Sequence, residues 1–579
     1  MASGRLRPLF ATAAASAAVR LASRNEAGQE VPSHPPDVDL AGKRMRRKRQ
    51  VSQKGPSSCR CSSAFDTSLA VFSGGTACNA LVPHLHQHTN RIAYIMPVTD
   101  NGGSTAKIMQ AVGGPAIGDI RSRLSRLSRF TAETNLKLKV GGLTGESEQA
   151  AGIYIKQGEY EGRAYFAKPS GRAFIFFSDS SWYISPRLGS VADSWAWQHP
   201  GSADWPPEGA WTLVDSNASG SPSVCSPELA LVRLLDTRLS SESSKAAEAE
   251  FRELVNGTHP LFVGIGDSAM SALRTFLVTF SKEVALRSGH SDIVLAVDPD
   301  DTCHFARLNG TFDYSKASVG NCIFTGMRLL FGSLPTTIWM WSRLAKLPTD
   351  TQVLPCVNTN VTLTIGAELE DGTKIIGQNA ISHPKLYDLS GNLMDTKAAQ
   401  EEPMDSRIKR IFYVNAYGQP ISEPFPAYSA ALRAVADADV VVYSMGSLYT
   451  SLIPSLVLPG MGNAVRTAKR KILLMNACND RETKWYEHGR QQAASEYTMI
   501  DFVEAVVQAF EGDSGSGDRL HANEYVTDII CARDGSIKEC LQGCGMRDLA
   551  IKLHYVDADA SGMMDLRQVA AKILEVSSR

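Results

Sequence analysis

Residues 71–121 constrain the fold more than any other stretch of the chain. An apolar run of strand type, Ala70-Val71-Phe72, passes into Ser73-Gly74-Gly75-Thr76 and then a helical pattern (Leu81, Val82, Leu85). A second apolar run, Ile92 to Val98, ends in Thr99-Asp100-Asn101-Gly102-Gly103-Ser104-Thr105. Strand, glycine turn, helix, strand, glycine turn reads as the first βαβ unit of a doubly wound sheet, with both turns at the carboxyl edge. Glycine lets the backbone approach a ligand, and a helix start behind each turn offers free N–H groups to an anion. Plain tight turns look the same, so glycine alone does not specify a phosphate site. Asp100 and Asn101 at the strand end add a carboxylate that can hold a ribose hydroxyl or a metal. A third loop, Gly113-Gly114-Pro115-Ala116-Ile117-Gly118-Asp119-Ile120-Arg121, sets an acid two residues from a guanidinium. No Gly-Lys-Ser/Thr follows the glycines, so neither glycine turn is a Walker A loop.

The stretches SGGT, TDNGGST and GGPAIGDIR resemble the CofD/YvcK-like family. Its members include the 2-phospho-L-lactate transferases of deazaflavin cofactor synthesis and the YvcK gluconeogenesis factors, which bind nucleotide sugars. The family usually reads GGTG, DDGGSSG and Pro-Gly-Asp-Ile-Arg. Here Ala77 replaces the fourth glycine, Asn101 the second Asp and Ala106 the last glycine. The first and third changes remove backbone freedom, and the second removes one charge from a metal or hydroxyl site.

Further along, Ser318-Val319-Gly320-Asn321 reads as a turn at a helix start and resembles the family's Gly-Asn-Leu motif. Asn321 is either a helix-cap residue or a ligand contact. Asp439-Val440-Val441-Val442-Tyr443 is a buried-strand run. It leads into Ser444-Met445-Gly446-Ser447-Leu448-Tyr449-Thr450-Ser451, which resembles the family's Pro-Gly-Ser-Leu-Tyr-Thr-Ser motif with Met445 in place of Pro. Hydroxyls and backbone N–H groups at a helix start suit a phosphate. No acid/base partner lies in the local sequence, so Ser447, Thr450 and Ser451 are assigned to binding and not to nucleophilic attack. The strand Lys471 to Met475 ends in Asn476 and leads to Asp480-Arg481-Glu482-Thr483, similar to the family's Gly-Glu-Thr turn with Arg481 in place of Gly.

The expected fold is a three-layer, Rossmann-like, doubly wound α/β sheet occupying residues 66–132 and 226–579. Residues 133–225, rich in Gly, Ser and Trp, are expected to form an inserted all-β module of short antiparallel strands. Five of the chain's eight tryptophans lie there (Trp182, Trp195, Trp197, Trp205, Trp211), serving as a small core or as an interaction surface. Residues 1–65 open on a stretch, 1–25, that carries four arginines and no acid, the first being Glu26, a transit-peptide composition that points to a mitochondrion or plastid, with a disordered tail of a cytoplasmic protein as the alternative.

A net charge of −1 over 579 residues argues against a dedicated nucleic-acid binder. No apolar run approaches membrane-spanning length, so no membrane partner is expected. Eleven cysteines, mostly single, suggest reduced thiols, and neither Cys59-x-Cys61 nor Cys540-x₃-Cys544 has a further ligand at zinc spacing. Asp298, Asp300 and Asp301 match no calcium loop. Asp557 to Asp565 matches the first nine positions of an EF-hand loop, but Gln568 stands where calcium needs a bidentate Glu, and the preceding residues read as strand.

The resemblance implies a transferase that moves a phosphorylated lactyl or related group from a nucleotide-linked donor to a hydroxyl. The alternative is a non-catalytic nucleotide-sugar-binding regulator of the YvcK type, to which the DNGGST and GDIR spellings are nearer. The transferase resemblance implies catalytic roles for Asp100, Asp119 and Arg121, with Mg²⁺ as cofactor held at Asp100. Ligand contacts are implied at Gly74, Gly75, Thr76, Asn79, Asn101, Gly102, Gly103, Ser104, Asn321, Gly446, Ser447, Leu448, Thr450, Ser451, Asn476, Glu482 and Thr483. A homo-oligomer is expected.

Overall fold

The apolar runs that end in glycine or hydroxyl turns become the inner strands of one parallel sheet. The computed structural model describes residues 67–74, 77–99, 102–134, 136–198, 206–214, 219–288, 312–382, 402–422, 425–487, 494–513, 520–533, 535–537, 549–559 and 562–578. The targeting reading, the Asp298–Asp301 cluster, Trp205 and the Cys59/Cys61 and Cys540/Cys544 pairs lie outside these.

Seven parallel strands make the main sheet: β1 (Leu69–Phe72), β2 (Ile92–Met96), β3 (Gln352–Pro355), β4 (Val440–Tyr443), β5 (Arg470–Leu474), β6 (Asp528–Ala532) and β7 (Lys552–Val556). Their order is β3-β2-β1-β4-β5-β6-β7. The chain winds outward from β1 to β3, then returns to start β4 on the other side of β1, as in dinucleotide-binding folds. Every residue of β1, β2, β4 and β6 is buried. That is why these strands read as continuous Val/Ile/Leu runs rather than alternating ones: helices cover both faces. The register Val71↔Val442 pairs β1 with β4 and fixes the switch point between them.

Four helices bear on the site: α1 (Gly103–Val112), α2 (Gly118–Thr134), α3 (Val319–Phe331) and α4 (Leu566–Ser577). Ser318 caps α3, its hydroxyl accepting the Asn321 N–H at 3.3 Å. The chain ends as strand β7, a turn and α4, so a strand precedes the EF-hand-like stretch. There Gln568 Nε2 donates to the Asp557 carboxylate at 3.0 Å and Asp565 caps α4.

Between α2 and the helix Pro227–Asp236 lies a separate nine-stranded antiparallel sheet. Its first strand, Lys137–Thr144, pairs with its last, Ser219–Cys225, through Val140↔Val224, so the module's two connections leave it side by side. It has its own apolar core, distinct from that of the α/β layers, which includes Trp182, Trp195, Trp211, Phe166 and Ile175. These three tryptophans are core residues of the module and not an exposed face. A further three-stranded antiparallel sheet (Thr364–Leu369, Lys374–Ile376, Ile408–Val414) contains a hairpin that turns at Glu370–Thr373. Among the described residues no helix is long and apolar enough to cross a membrane.

Candidate functional site

A cleft of about 520 Å³ opens at the carboxyl ends of β1, β4 and β5, astride the switch point. Three strand-end loops build it. From β1 come Gly74 and Ala77, from β4 Met445, Gly446, Ser447, Thr450 and Ser451, and from β5 Met475 to Cys478 with Asp480. Asp119, in the first turn of α2, adds a partly exposed carboxylate. Crevices outside the carboxyl ends of strands at such a reversal are where open α/β sheets take ligands.

The loops are set by specific contacts. A Cβ on Gly74 would overlap the Cβ of Ser451 and lie 2.7 Å from its hydroxyl, so only glycine lets the β1 loop come this close to the β4 loop. Gly446 has φ +138°, a conformation that side-chain-bearing residues rarely adopt. Asn476 fixes that conformation from the neighbouring strand. Its Oδ1 accepts the Gly446 N–H at 2.9 Å, and its Nδ2 donates to the Gly446 carbonyl at 3.0 Å. The polar end of β5 therefore holds the β4 loop in shape.

Leu448–Leu452 continues as a π-helical turn, a geometry that recurs at functional sites. Two of its N–H groups, those of Tyr449 and Thr450, are already taken. Buried Glu482 accepts the Tyr449 N–H at 2.8 Å, the Thr450 N–H at 3.1 Å and the Thr450 hydroxyl at 2.5 Å. A carboxylate of the chain thus occupies the helix-start position that the sequence suggests for a phosphate. Burial, with the neighbouring Asp480 carboxylate second, raises the pKa of Glu482. Burial also raises that of Asp480, against hydrogen bonding from Ser447. Thr483 and Asp480 form a reciprocal capping box that shapes the short Arg481–Thr483 turn carrying Glu482.

The structure brings Gly74, Asp119, Gly446, Ser447, Thr450, Ser451 and Asn476 to this one cleft. Gly75, Thr76, Asp100 and Asn101 lie outside the described residues. The remaining nine residues named from the sequence are not in the lining. Glu482, Thr483 and Leu448 are buried beneath the β4 loop. Asn79 ties the β1 loop to α2 through Ser122, at 3.0 Å. Gly102 caps α1, Gly103 opens it at φ +52°, and Ser104 belongs to a buried network centred on Asn321. The Asn321 amide donates to the hydroxyls of Ser104 and Thr105, each at 3.2 Å, and its Oδ1 accepts from Arg121 Nε at 3.2 Å. Arg121 also faces the Asp236 carboxylate at 3.7 Å. Burial lowers its pKa, with Asp236 opposing. The structure therefore places Asn321 and Arg121 in a joint between three helix starts rather than in the cleft wall.

Several lining residues escape the sequence reading. Asp480 is the most consequential, a second carboxylate on the cleft; its signal was its place beside Glu482 in the polar turn after β5. Gln378 and Ser382 come from the short helix Gln378–Ser382, and Met563, Met564 and Leu566 from the C-terminal turn and α4. No local pattern marks these. They reach the cleft only through tertiary packing.

The sequence profile of the family described as "2-phospho-L-lactate transferase CofD" matches residues 69–143 and 292–574, more than half of the chain. The chain belongs to the CofD family. The match breaks off inside the first strand of the antiparallel module and resumes at residue 292, beyond residue 226, where the sequence leads one to expect the α/β domain to return. The uncharacterized protein YNL011C of Saccharomyces cerevisiae is 25% identical over 530 residues, 81% of this chain and 91% of its own. The gluconeogenesis factors of Halalkalibacterium halodurans and Bacillus subtilis are 28% and 27% identical. Those matches span 37% and 35% of this CofD-family chain and 58% and 51% of the factors. A crystal structure of protein BH3568 from Bacillus halodurans aligns over 88% of the chain and 99% of its own at 16% identity, with a TM-score of 0.44.

Proposed function

We propose that this chain binds a nucleotide-linked phosphate donor in the switch-point cleft and transfers its phosphorylated group to a hydroxyl acceptor. The carrying observation is the convergence of the β1, β4 and β5 loops on one cleft, with Asp119 at its edge. Transfer of this kind depends on positioning and charge stabilisation more than on covalent catalysis. The Ser447 and Ser451 hydroxyls and the close-packed backbone at Gly74 and Gly446 would seat the donor's phosphates. Asp119 and Asp480 are the carboxylates available to orient the acceptor hydroxyl and take its proton.

Among the described residues no three acid, histidine or cysteine side chains gather as a metal cage. Two cleft carboxylates do fit the way Mg²⁺ is commonly held, by one or two protein carboxylates together with substrate phosphates and water. Asp119 and Asp480, with Asp100 by resemblance, would hold an ion that arrives on the ligand. Its chemistry there would be neutralisation of phosphate charge.

One observation favours a second reading, a nucleotide-sugar-binding regulator without turnover. Among the described lining residues there is no Lys, Arg or His to meet charge developing on a transferred group. The relatives named gluconeogenesis factors agree with that reading. The discriminating experiment incubates the full chain with nucleotides, nucleotide sugars and nucleotide-linked phospho-acids, with and without Mg²⁺. Binding is read by calorimetry and product by phosphorus NMR. Binding with product supports transfer, and saturable binding without product supports the regulator. Absence of binding across the panel refutes both.

A further inference from the structure

Arg123 is fully buried on α2, one helical turn below the cleft-lining Asp119. Its Nη2 donates to the Ser73 hydroxyl at 3.1 Å and its Nη1 to the Cys78 sulfur at 3.5 Å. The guanidinium also stacks 4.5 Å from the Tyr94 ring centroid, and Nε has no partner among the described residues. None of these partners is an acid. An arginine cannot shed its proton to escape burial, and buried cations are ordinarily paired with a carboxylate. Ser73 and Cys78 directly precede and follow Gly74 and Ala77, the two β1-loop residues that line the cleft. The charge, which no acid among the described residues pairs, therefore lies immediately behind the cleft floor, on the strand side of a surface whose described lining has two acids and no cation.

We infer that Arg123 is a positioning and charge-complementing residue for an anionic group, of phosphate or diphosphate chemistry, bound at the β1 loop. The inference rests on the anionic-ligand reading of this cleft. Arg123 acts through the loop and does not touch the ligand. It holds Ser73 at the loop's entrance, and its charge, unscreened by water, stabilises an anion on the other side of the backbone. The same charge makes the ligand-free protein less stable than an apolar residue of similar volume would, because no acid among the described residues neutralises it before the anion arrives. A structural arginine would behave in the opposite way, since its removal would lower stability and leave selectivity for charge unchanged.

The test uses the full chain, with inorganic pyrophosphate and a nucleoside diphosphate as anionic probes and the parent nucleoside as the uncharged one. Arg123→Met should weaken both anions by about tenfold or more, the effect of a unit charge at roughly 10 Å in a medium of effective dielectric near 20. Nucleoside binding should change by less than about twofold, and the ligand-free melting temperature should not fall below that of wild type. Arg123→Lys, which keeps the charge and loses the fork, should retain anion affinity within a few-fold even if Arg123→Met proves poorly folded. The inference is overturned if Arg123→Met binds the anions like wild type, or if Arg123→Lys loses as much anion affinity as Arg123→Met. It is equally overturned if anion and nucleoside weaken together. Arg123-dependent pyrophosphate binding in a protein that takes up no nucleotide-linked ligand would leave this inference standing and remove the proposed function. Nucleotide-sugar binding indifferent to Arg123 would do the reverse.

Discussion

Glu482 offers a measurable consequence of the way the β4 loop is held. Its carboxylate accepts three hydrogen bonds, from the Tyr449 and Thr450 amides and the Thr450 hydroxyl. Replacement by alanine strands all three buried donors at about 1–3 kcal/mol each, so Glu482→Ala should cost several kcal/mol. Glu482→Gln is the more informative change, because it keeps the volume and one acceptor oxygen and cannot ionise. Burial and Asp480 raise the folded-state pKa of Glu482 from its ordinary 4.5. Between that value and the raised one, the unfolded chain has released its proton while the folded chain retains it. The folded state then binds more protons, and wild-type stability must fall as pH rises through this window. The loss is about 1.4 kcal/mol for every pH unit crossed inside it. Glu482→Gln lacks this slope, so the variant should be less stable than wild type near pH 5 and close the gap, or overtake, toward pH 8. Urea midpoints at half-unit pH steps for both proteins measure the difference. Parallel pH profiles would refute the reasoning, because they would mean that the three donors hold Glu482 ionised throughout.

Asp119→Asn should lower ligand affinity or turnover on the order of a hundredfold while changing the urea midpoint by no more than a partly exposed ion pair does, about 0–1 kcal/mol. Loss of binding only in step with unfolding would make Asp119 structural. Asn476→Ala removes both hydrogen bonds to Gly446 and should cost about 1–2 kcal/mol of stability. Ligand affinity should fall further than that, because the freed β4 loop must be reordered on binding; equal losses in the two assays would count against a loop-holding role. Gly74→Ala should destabilise by about 1–3 kcal/mol through overlap with Ser451. Ser451→Gly should restore most of that loss in a double-mutant cycle, and additive losses would show that the two loops are not in contact.

The doubly wound sheet was legible because each inner strand is a short apolar run stopped by glycine or hydroxyl residues. Ala70 to Phe72, Ile92 to Met96 and Val440 to Tyr443 carry the signal without help from tertiary structure. The cleft was legible where a strand end and a lining residue coincide, as at Gly74, Ser447 and Asn476. It was not legible where a side chain's partner comes from far along the chain. Arg121 turns to Asn321 and Asp236, respectively 200 and 115 positions away in the sequence. Glu482 reaches back 32 residues to fill the amides of the π-helical turn. Residues of one polarity and one spacing can serve a ligand or each other, and only the packing decides which. The EF-hand-like stretch makes the same point: its Met563 and Met564 form part of the cleft wall.

The charge arrangement of the cleft follows from that packing. The Tyr449 and Thr450 amides at the helix start are spent on Glu482, and Arg121 faces Asp236. The described wall therefore presents Asp119 and Asp480 to a ligand that the family leads one to expect to be negative. Such a ligand must be held by backbone groups, hydroxyls and charge from behind the wall, or must bring a cation with it. The first route weakens as the two carboxylates ionise. The pKa of Asp480 is raised by burial, so part of that repulsion is relieved whenever Asp480 holds its proton. In the absence of Mg²⁺, anion affinity should accordingly rise as pH falls through the titration of Asp480, and Asp480→Asn should flatten that dependence while keeping the high affinity. A profile that keeps its slope in Asp480→Asn would assign the repulsion to Asp119 alone.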